Sequence, residues 1–199
     1  MNVNRRHFLG ALATGAASLA SPISFAATPS RQMPRGLAEA KAALDAHGAR
    51  VRHRDIVGLV DFSAPSGDPR FSLVDIGNGR VIADFHVAHG RGSDPGNTGM
   101  LQRFSNRPGS NASCQGSFLT GETYYGTHGR SRRIHGLDPE NSMAYPRAIV
   151  IHGASYVLAD MARHTGRVGR SLGCFTVSQR DIGPVLSQLP PGRLLFAYR

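Results

Sequence analysis

The 199-residue sequence lacks the histidine and cysteine patterns by which most zinc sites in proteins are recognised. It contains nine histidines and two cysteines, but no His-x-His, no His-Glu-x-x-His and no pair of cysteines at ligand spacing. Such patterns matter because three or four donor atoms must converge on one ion. Their absence argues against a zinc amidase or peptidase, and we expect no metal and no cofactor.

Lysine and long apolar runs are also scarce. Lys41 is the single lysine, so nearly all of the positive charge is arginine, and 23 Lys+Arg stand against 13 Asp+Glu. A surplus of arginine indicates anionic surroundings, such as cell-wall polymer or lipid headgroups, or equally a basic face that is merely solvated. No stretch outside the amino terminus has the roughly 20 apolar residues needed to span a bilayer.

The amino terminus has the three parts of an export signal. Arg5-Arg6 is followed by a mildly apolar stretch, residues 10–20, and then by small residues up to Ala26. This order predicts a signal peptide over residues 1–26, and the paired arginines favour the twin-arginine route. We therefore expect the twin-arginine export machinery as a partner, a location in the periplasm or cell envelope, no membrane span after cleavage, and no nucleic acid as a partner.

The remaining chain predicts a short tether and one domain. Residues 27–36 contain two prolines and a glycine and predict the tether, and residues 37–199 predict the domain. Apolar residues at a spacing of three to four, followed by Gly48, predict a helix over residues 37–49. We expect two further short helices at residues 156–163 and 180–189.

Most of the domain consists of short strand-like runs separated by turns. The pair Asn78-Gly79 lies between apolar runs and predicts a β-hairpin. Residues 90–116 are rich in Gly, Ser, Asn and Pro and predict a long loop, and residues 193–198 predict a closing strand. We therefore expect a mainly β fold with two or three short helices.

The strongest chemical pattern joins a histidine at the end of an apolar strand to a cysteine that follows a glycine. The two segments are Arg-Ala-Ile-Val-Ile-His152-Gly and Gly-Arg170-Ser-Leu-Gly173-Cys174. A nearby imidazole lowers the pKa of a thiol from about 8.5 by two units or more. Gly173 lets the backbone turn and leaves nearby N–H groups free for a developing oxyanion, and Arg170 adds positive potential. We predict Cys174 as the nucleophile, His152 as its base and Gly173 as part of the catalytic turn.

The second cysteine has no such surroundings. Cys114 lies in Asn-Ala-Ser-Cys-Gln without a base motif beside it. Two cysteines in an exported protein permit one disulfide, here Cys114–Cys174 across a long loop. The glycine turn beside Cys174 favours an exposed, activated thiol instead, so we expect Cys114 to be a free thiol.

These segments resemble the signature of YkuD-type L,D-transpeptidase catalytic domains, in which His-Gly is followed after a spacer by Ser/Thr-His-Gly-Cys. The wider match is to the murein L,D-transpeptidase catalytic domain branch, and it covers about residues 55–199. It includes residues 88–92, 104–106 and 126–129 in addition to the histidine and cysteine segments. The resemblance implies an L,D-transpeptidase-like β-sandwich or barrel.

The resemblance also implies a two-step acyl transfer on peptidoglycan stem peptides. Cys174 attacks the carbonyl of the diamino acid in a stem tetrapeptide, D-alanine leaves, and an amine of a neighbouring stem takes the acyl group to give a 3→3 cross-link. His152 removes the thiol proton and gives it to the leaving amine. Ser171, Arg170, His128 and Gly153 are expected at the substrate cleft, with no metal among the ligands.

Four other interpretations stay open. Water as the acceptor makes the enzyme an L,D-carboxypeptidase, and a protein or another amine is a further possible acceptor. A wall-binding module of the same fold without activity is conceivable. A papain-like cysteine peptidase is a weaker alternative, because in that class the cysteine precedes the histidine in the chain.

The sequence departs from the family pattern next to the nucleophile. Leu172 replaces the second histidine of the signature, Phe175 stands where this branch tends to have proline, and Thr176 stands where an arginine is often found. The spacer between His152 and the cysteine segment is also slightly long. These departures leave the nucleophile and base in place, and they bear on substrate preference and, to a lesser degree, on activity.

Overall fold

The computed structural model describes residues 33–199, in which eight strands hydrogen bond into one sheet. The predicted signal peptide and most of the predicted tether lie outside the described residues. The sheet order is β3-β2-β1-β8-β4-β5-β6-β7. The strands are β1 (His53–Asp61), β2 (Phe71–Asp75), β3 (Arg80–Phe85), β4 (Gly116–Gly126), β5 (Gly129–Gly136), β6 (Val150–Ala154), β7 (Phe175–Ser178) and β8 (Arg193–Tyr198).

Three short α-helices and one 3₁₀ helix accompany the sheet. The α-helices are α1 (Leu37–Ala46), α2 (Ala159–Thr165) and α3 (Ile182–Gln188), and the 3₁₀ helix is Pro139–Asn141. The predicted mainly β fold with two or three short helices is confirmed. In the described part of the chain, no helix has the length and apolar composition required to cross a membrane.

Strands β1, β2 and β3 form an antiparallel meander, and the sequence predicts its second turn. Strands β2 and β3 pair antiparallel around the predicted hairpin turn, where Gly79 has a φ of +67°, a conformation that glycine adopts without steric cost. The carboxylate of Asp75 accepts a hydrogen bond of 2.9 Å from the N–H of Gly77 and orders this turn. The hairpin prediction is confirmed.

Strand β1 is buried on both faces, which explains its nearly continuous apolar run. Val57 and Leu59 pack with α1 in one hydrophobic cluster, whereas Val60 packs into the main core on the opposite face. Alternate residues of a strand point to opposite faces, so a strand covered on both sides needs apolar residues at every position. Strand β1 also pairs parallel with β8, the last strand of the chain.

The second half of the sheet places two parallel strands side by side. Strands β4, β5 and β6 pair antiparallel in chain order, and β6 then pairs parallel with β7. A parallel pair requires a crossover connection, and α2 forms part of the crossover here. This arrangement returns the chain to the end of the sheet where β6 begins, so that β7 starts next to the amino end of β6.

The two outer strands of the sheet curl towards each other. Ala88, which follows β3, forms an antiparallel bridge with Thr176 of β7, and its N–H donates to the Thr176 carbonyl at 2.8 Å. Between the two halves, the Phe62 ring stacks on Phe175 with centroids 6.0 Å apart. The main core therefore lies inside a curled sheet whose edges almost meet.

Candidate active site

The parallel pairing of β6 with β7 brings the predicted histidine and cysteine segments together. His152 of β6 lies opposite Thr176 of β7. Cys174 immediately precedes β7, two residues before Thr176. His152 in the middle of β6 and Cys174 at the start of β7 are thus brought close together by the pairing of two adjacent strands.

The turn before Cys174 depends on glycine. Gly173 has a φ of +121°, which L side chains rarely adopt. A Cβ at this position would lie 2.7 Å from Cδ1 of Ile149, 2.8 Å from the Ala112 carbonyl oxygen and 3.2 Å from Nη2 of Arg147. No larger residue fits here without displacing backbone, so this glycine sets the path of the chain into Cys174.

Ser171 braces the same turn from inside. Its hydroxyl donates to the Cys174 carbonyl at 2.8 Å and accepts from the Gly173 N–H at 3.1 Å. Of the N–H groups near Cys174 that we expect to hold an oxyanion, that of Gly173 is already bound to the Ser171 hydroxyl in the resting structure. Ser171 itself is buried, with 4% of its surface exposed, and acts as a structural brace.

The segment after β3 holds the turn from its outer side. The Ser171 N–H donates to the His89 carbonyl at 2.9 Å, and the Ser171 carbonyl accepts from the Arg91 N–H at 2.8 Å. Gly90 lies between them and bridges to Ser171. In the predicted loop over residues 90–116, residues 90–115 contain no named strand or helix, whereas Gly116 begins β4. The first residues of this loop pair with the cysteine turn.

Cys174 is a half-buried free thiol, and Cys114 is a fully buried one. The sulfur of Cys174 donates to the Ala148 carbonyl at 3.7 Å. Burial raises the pKa of the Cys174 thiol, against the lowering effects of the Val150 N–H and the charge of Arg147. The expectation of a thiol pKa lowered by the imidazole is therefore wrong for this resting state, because burial outweighs the stabilising groups.

His152 is almost completely buried, with 2% of its surface exposed. Its Nδ1 lies 3.0 Å from the Gly153 carbonyl oxygen, which can only accept, so Nδ1 carries the proton. Its Nε2 lies 3.0 Å from the hydroxyl of Thr176, which then donates to the unprotonated nitrogen. Burial lowers the pKa of His152, and His128 lowers it further, against the raising effect of the Gly153 carbonyl.

The pair therefore rests as a neutral imidazole and a neutral thiol. Among the hydrogen bonds of residues 33–199, none joins the sulfur of Cys174 to His152; their partners are Ala148 on one side and Thr176 and Gly153 on the other. The hydroxyl of Tyr156 extends this network by donating to Oγ1 of Thr176 at 3.4 Å. A chain of hydroxyls thus leads from the half-buried Tyr156 to the imidazole.

His128 and Gly153 lie at a cavity beside the imidazole. The ring of His128 stacks on that of His152 with centroids 4.1 Å apart and an interplanar angle of 18°. The cavity has a volume of about 350 Å³, and Tyr156 and Gln179 contribute to its walls along with His128 and Gly153. The structure thus brings two of the predicted substrate-binding residues together next to the predicted base.

Arg147, and not Arg170, is the cation that acts on the Cys174 thiol. The Arg170 guanidinium donates to the backbone carbonyl of Asp94, on the loop that flanks the turn. Arg147 is the cation whose charge lowers the pKa of Cys174. Sequence reasoning singled out Arg170 because it is near Cys174 in the chain, and it missed Arg147, which becomes a neighbour only through folding.

Each of the three departures from the family pattern has a defined place. Leu172 is 57% exposed and lines a second cavity of about 400 Å³ together with Arg147 and Met143. Phe175 is fully buried in the main core and packs edge-on against Phe118 with centroids 5.3 Å apart. Thr176 supplies the hydroxyl bound to the imidazole.

Two further features of the described residues complete the picture. A cavity of about 440 Å³, with His86, Arg163 and Asp181 among its lining residues, contains none of the predicted site residues. Within residues 33–199, no group of three His, Cys, Asp or Glu side chains is placed to hold one metal ion.

A family model described as the L,D-transpeptidase catalytic domain matches residues 32–198. This match covers most of the chain, so the protein belongs to the L,D-transpeptidase catalytic domain family of the YkuD type. The predicted YkuD-type family is thereby confirmed. No curated protein sequence matches the chain.

Solved L,D-transpeptidase structures are also similar to this chain. The L,D-transpeptidase from Mycobacterium smegmatis matches with a TM-score of 0.45 and 11% identity, over 73% of this chain and 59% of that chain. One from Xylanimonas cellulosilytica matches with a TM-score of 0.45 and 20% identity, over 80% and 69%. L,D-transpeptidase 1 from Mycobacterium tuberculosis matches with a TM-score of 0.40 and 13% identity, over 73% and 62%. This chain thus spans less than two thirds of the first and third of these proteins.

Proposed function

We propose that this protein is a cysteine acyltransferase that acts on the stem peptides of peptidoglycan, with Cys174 as nucleophile and His152 as base. The observation that supports the proposal is the parallel pairing of β6 with β7, in which His152 lies opposite Thr176, two residues after Cys174. Family membership supports the enzyme class. The cavity beside His128 and His152 supports a site that is open to a peptide.

The first step forms a thioester. The Cys174 side chain turns from the Ala148 carbonyl towards Nε2 of His152, and Thr176 releases that nitrogen as its hydroxyl rotates. The thiol proton passes to Nε2, and the sulfur attacks the carbonyl carbon of the diamino acid. The C–N bond to D-alanine breaks, and the imidazolium gives its proton to the departing amine.

The second step transfers the acyl group to an acceptor. An amine of a neighbouring stem peptide attacks the thioester carbon, the C–S bond breaks, and His152 takes the amine proton and returns one to the sulfur. A stem peptide as acceptor gives a 3→3 cross-link. Water in the same position gives an L,D-carboxypeptidase.

A wall-binding module without activity is the second candidate function. The observation that favours it is the resting hydrogen-bond pattern, in which the sulfur bonds to Ala148 and the imidazole bonds to Thr176. Hydrogen bonds of catalytic residues are often misaligned without substrate and tighten in the reactive complex. We therefore favour the cysteine acyltransferase over the wall-binding module, and the two experiments below distinguish them.

A carbapenem tests the nucleophile directly, because carbapenems acylate enzymes of the L,D-transpeptidase family. We expect intact-protein mass spectrometry to find one drug mass added per chain, and peptide mapping to locate it at Cys174. Cys174→Ala should remove the adduct, while Cys114→Ala, the matched control at the buried thiol, should retain it. An adduct that survives Cys174→Ala would overturn the assignment of the nucleophile.

Isolated cell wall separates the candidate functions. We expect incubation of the protein with sacculi to produce 3→3 cross-linked muropeptides detectable by mass spectrometry. Trimmed tripeptides without cross-links would indicate water as acceptor. Protein that pellets with sacculi but leaves the muropeptide profile unchanged would establish the binding module and reject the enzyme.

We also infer that the protein reaches the cell envelope through the twin-arginine route. Peptidoglycan lies outside the cytoplasm, so a substrate of that class requires export, and Arg5-Arg6 begins the sequence pattern of the signal. Replacing both arginines by lysine should leave the protein in the cytoplasmic fraction. Unchanged fractionation would reject this route.

A further inference from the structure

The guanidinium of Arg147 is held by three hydrogen bonds. Its Nη1 donates to the Ser105 carbonyl at 2.7 Å and to the sulfur of Cys114 at 2.9 Å. Its Nη2 donates to the Ala112 carbonyl at 2.5 Å. Three partners on the loop that precedes β4 thus fix the plane and position of one guanidinium.

The fixed guanidinium lies against the peptide that leads into the nucleophile. A Cβ on Gly173 would lie 3.2 Å from Nη2 of Arg147 and 2.8 Å from the Ala112 carbonyl oxygen that Nη2 binds. The residue after Arg147, Ala148, supplies the carbonyl that the Cys174 sulfur contacts. Arg147 thus lies beside the residue that precedes Cys174 and directly precedes the residue whose carbonyl contacts the Cys174 sulfur.

A permanent positive charge next to the cysteine turn offsets the cost of forming the Cys174 thiolate in a buried site. Thiolate, not thiol, is the nucleophile, and burial disfavours the charged form of Cys174. The neutral His152 supplies no charge before it takes the proton. An arginine guanidinium stays protonated at any physiological pH, and charges in a half-buried site are screened less than on the surface.

We infer that Arg147 stabilises the thiolate of Cys174, and that Cys114, Ser105 and Ala112 hold it in position for this purpose. The inference deepens the proposed function and rests on it for its catalytic meaning. It also gives the buried Cys114 a role, since its sulfur accepts a hydrogen bond from the guanidinium. The lowering effect of Arg147 on the pKa of Cys174 agrees with this assignment.

The test measures how fast iodoacetamide alkylates Cys174 as a function of pH, with peptide mass spectrometry to separate the two cysteines. The midpoint of this profile reports the pKa of the Cys174 thiol. For Arg147→Met we expect the midpoint to rise by about one pH unit, so that alkylation at pH 7 slows about 10-fold while the limiting rate at high pH stays the same. Arg103→Met, which removes an exposed arginine of the same loop that donates to the Gly92 carbonyl, is the matched control.

The variant Arg147→Lys distinguishes the effect of the positive charge from the effect of the guanidinium hydrogen bonds. Arg147→Lys retains the charge but not the planar fork, so its midpoint should stay within about half a unit of the wild type. A folded Arg147→Met with an unchanged midpoint would overturn the inference, and so would an Arg103→Met that shifts as far. If circular dichroism shows that Arg147→Met does not fold, Arg147→Lys decides: a midpoint raised by a full unit, despite the retained charge, would also overturn it.

This outcome is independent of the proposed function. Alkylation requires no peptidoglycan and no acceptor, so the shift can be observed in a protein without transferase activity. If the wild type forms no carbapenem adduct but Arg147→Met raises the midpoint of Cys174 alkylation, the proposed enzyme is rejected and the role of Arg147 towards the thiolate stands. If the wild type forms the adduct but the midpoint of Arg147→Met is unchanged, the proposed enzyme stands and the role of Arg147 is rejected.

Discussion

At the scale of single residues, the resting site is defined by the group that hydrogen bonds to Nε2 of His152. The sequence identifies His152 and Cys174 by their motifs, yet the hydroxyl on Nε2 belongs to Thr176, a residue first noticed only as a departure from the family pattern. Thr176 has no exposed surface, and without it Nε2 would have no partner in the resting state. A buried nitrogen that loses its partner costs about 1–3 kcal/mol.

Replacing Thr176 by valine removes the hydroxyl and keeps the shape of the side chain. We expect carbapenem acylation of Cys174 to slow about 10-fold, because the imidazole loses the contact that orients it in the resting site. Thr176→Ser should restore most of the rate. Rates within twofold of the wild type in the valine variant, with the fold intact by circular dichroism, would exclude an orienting role.

The state of His152 predicts the acid side of the pH profile. A general base must be unprotonated, and burial lowers the pKa of His152 below the ordinary histidine value of about 6.5. As the pH falls through 6.5 the imidazole therefore stays neutral, and the rate declines only when the pH reaches the lowered pKa. Acylation rates measured from pH 4 to 8 should thus reach half of their maximum below pH 6.5, and a half-point at or above that value would contradict the assignment of His152 as base.

The predicted and observed site residues differ for a physical reason. Motif spacing identifies residues that are near each other in the chain, such as Gly173 and Ser171, and both do shape the turn. It cannot identify partners that arrive through tertiary contacts. Arg147 and Tyr156 belong to this second kind, because only the pairing of β6 with β7 places them beside Cys174 and Thr176.

At the scale of elements, local signals predicted local structure well. The Asn78-Gly79 turn and the closing strand over residues 193–198 are both present as expected. The predicted helix over residues 37–49 ends earlier, at Ala46. The order of strands in the sheet could not be predicted, because the parallel pairings of β1 with β8 and of β6 with β7 depend on contacts across long stretches of chain.

The turn that carries Arg147 into β6 contains a strained position. Ala148 has a φ of +53°, a left-handed conformation that costs an alanine about 1–2 kcal/mol. Its N–H donates to the Tyr145 carbonyl at 2.9 Å, and its own carbonyl faces the Cys174 sulfur. The fold maintains this conformation at the point where backbone meets nucleophile.

Glycine at this position should relieve the strain. We expect Ala148→Gly to raise the free energy of unfolding by up to about 1 kcal/mol, since the steric relief exceeds the entropy that glycine loses on folding. Ala148→Val, with a β-branched side chain in the same conformation, should lower it by more than about 1 kcal/mol. Urea unfolding of the three proteins gives these values, and equal stability of the glycine and valine variants would show that Ala148 is not strained in solution.

At the scale of the whole molecule, a buried polar network ties the first half of the sheet to the cysteine turn. Arg70 of the segment before β2 has 2% of its surface exposed and donates to Nδ1 of His89 at 2.7 Å. Nε2 of His89 lies 3.3 Å from a carboxylate oxygen of Asp94. Since the His89 carbonyl also accepts from the N–H of Ser171, this network supports the turn that presents Cys174.

The network makes the stability of the protein sensitive to acid. Burial, followed by the charge of Arg70, lowers the pKa of His89 to about 4. Burial would raise the pKa of Asp94, but hydrogen bonds from Thr98, Gly99 and His89 lower it. A histidine whose pKa is lowered on folding binds its proton only in the unfolded chain between pH 6.5 and 4, so stability is complete above about pH 6.5 and falls with pH through this window.

Between pH 7 and pH 5 this linkage should cost the wild type about 2 kcal/mol of unfolding free energy that is specific to His89. Glutamine can accept from Arg70 through its amide oxygen and donate to Asp94 through its amide nitrogen, and it does not titrate. His89→Gln should therefore lose about 2 kcal/mol less than the wild type between the two pH values, because the contributions of all other groups cancel in the comparison. Urea unfolding at both pH values measures the difference, and parallel losses in the two proteins would mean that His89 is not held neutral beneath the cysteine turn.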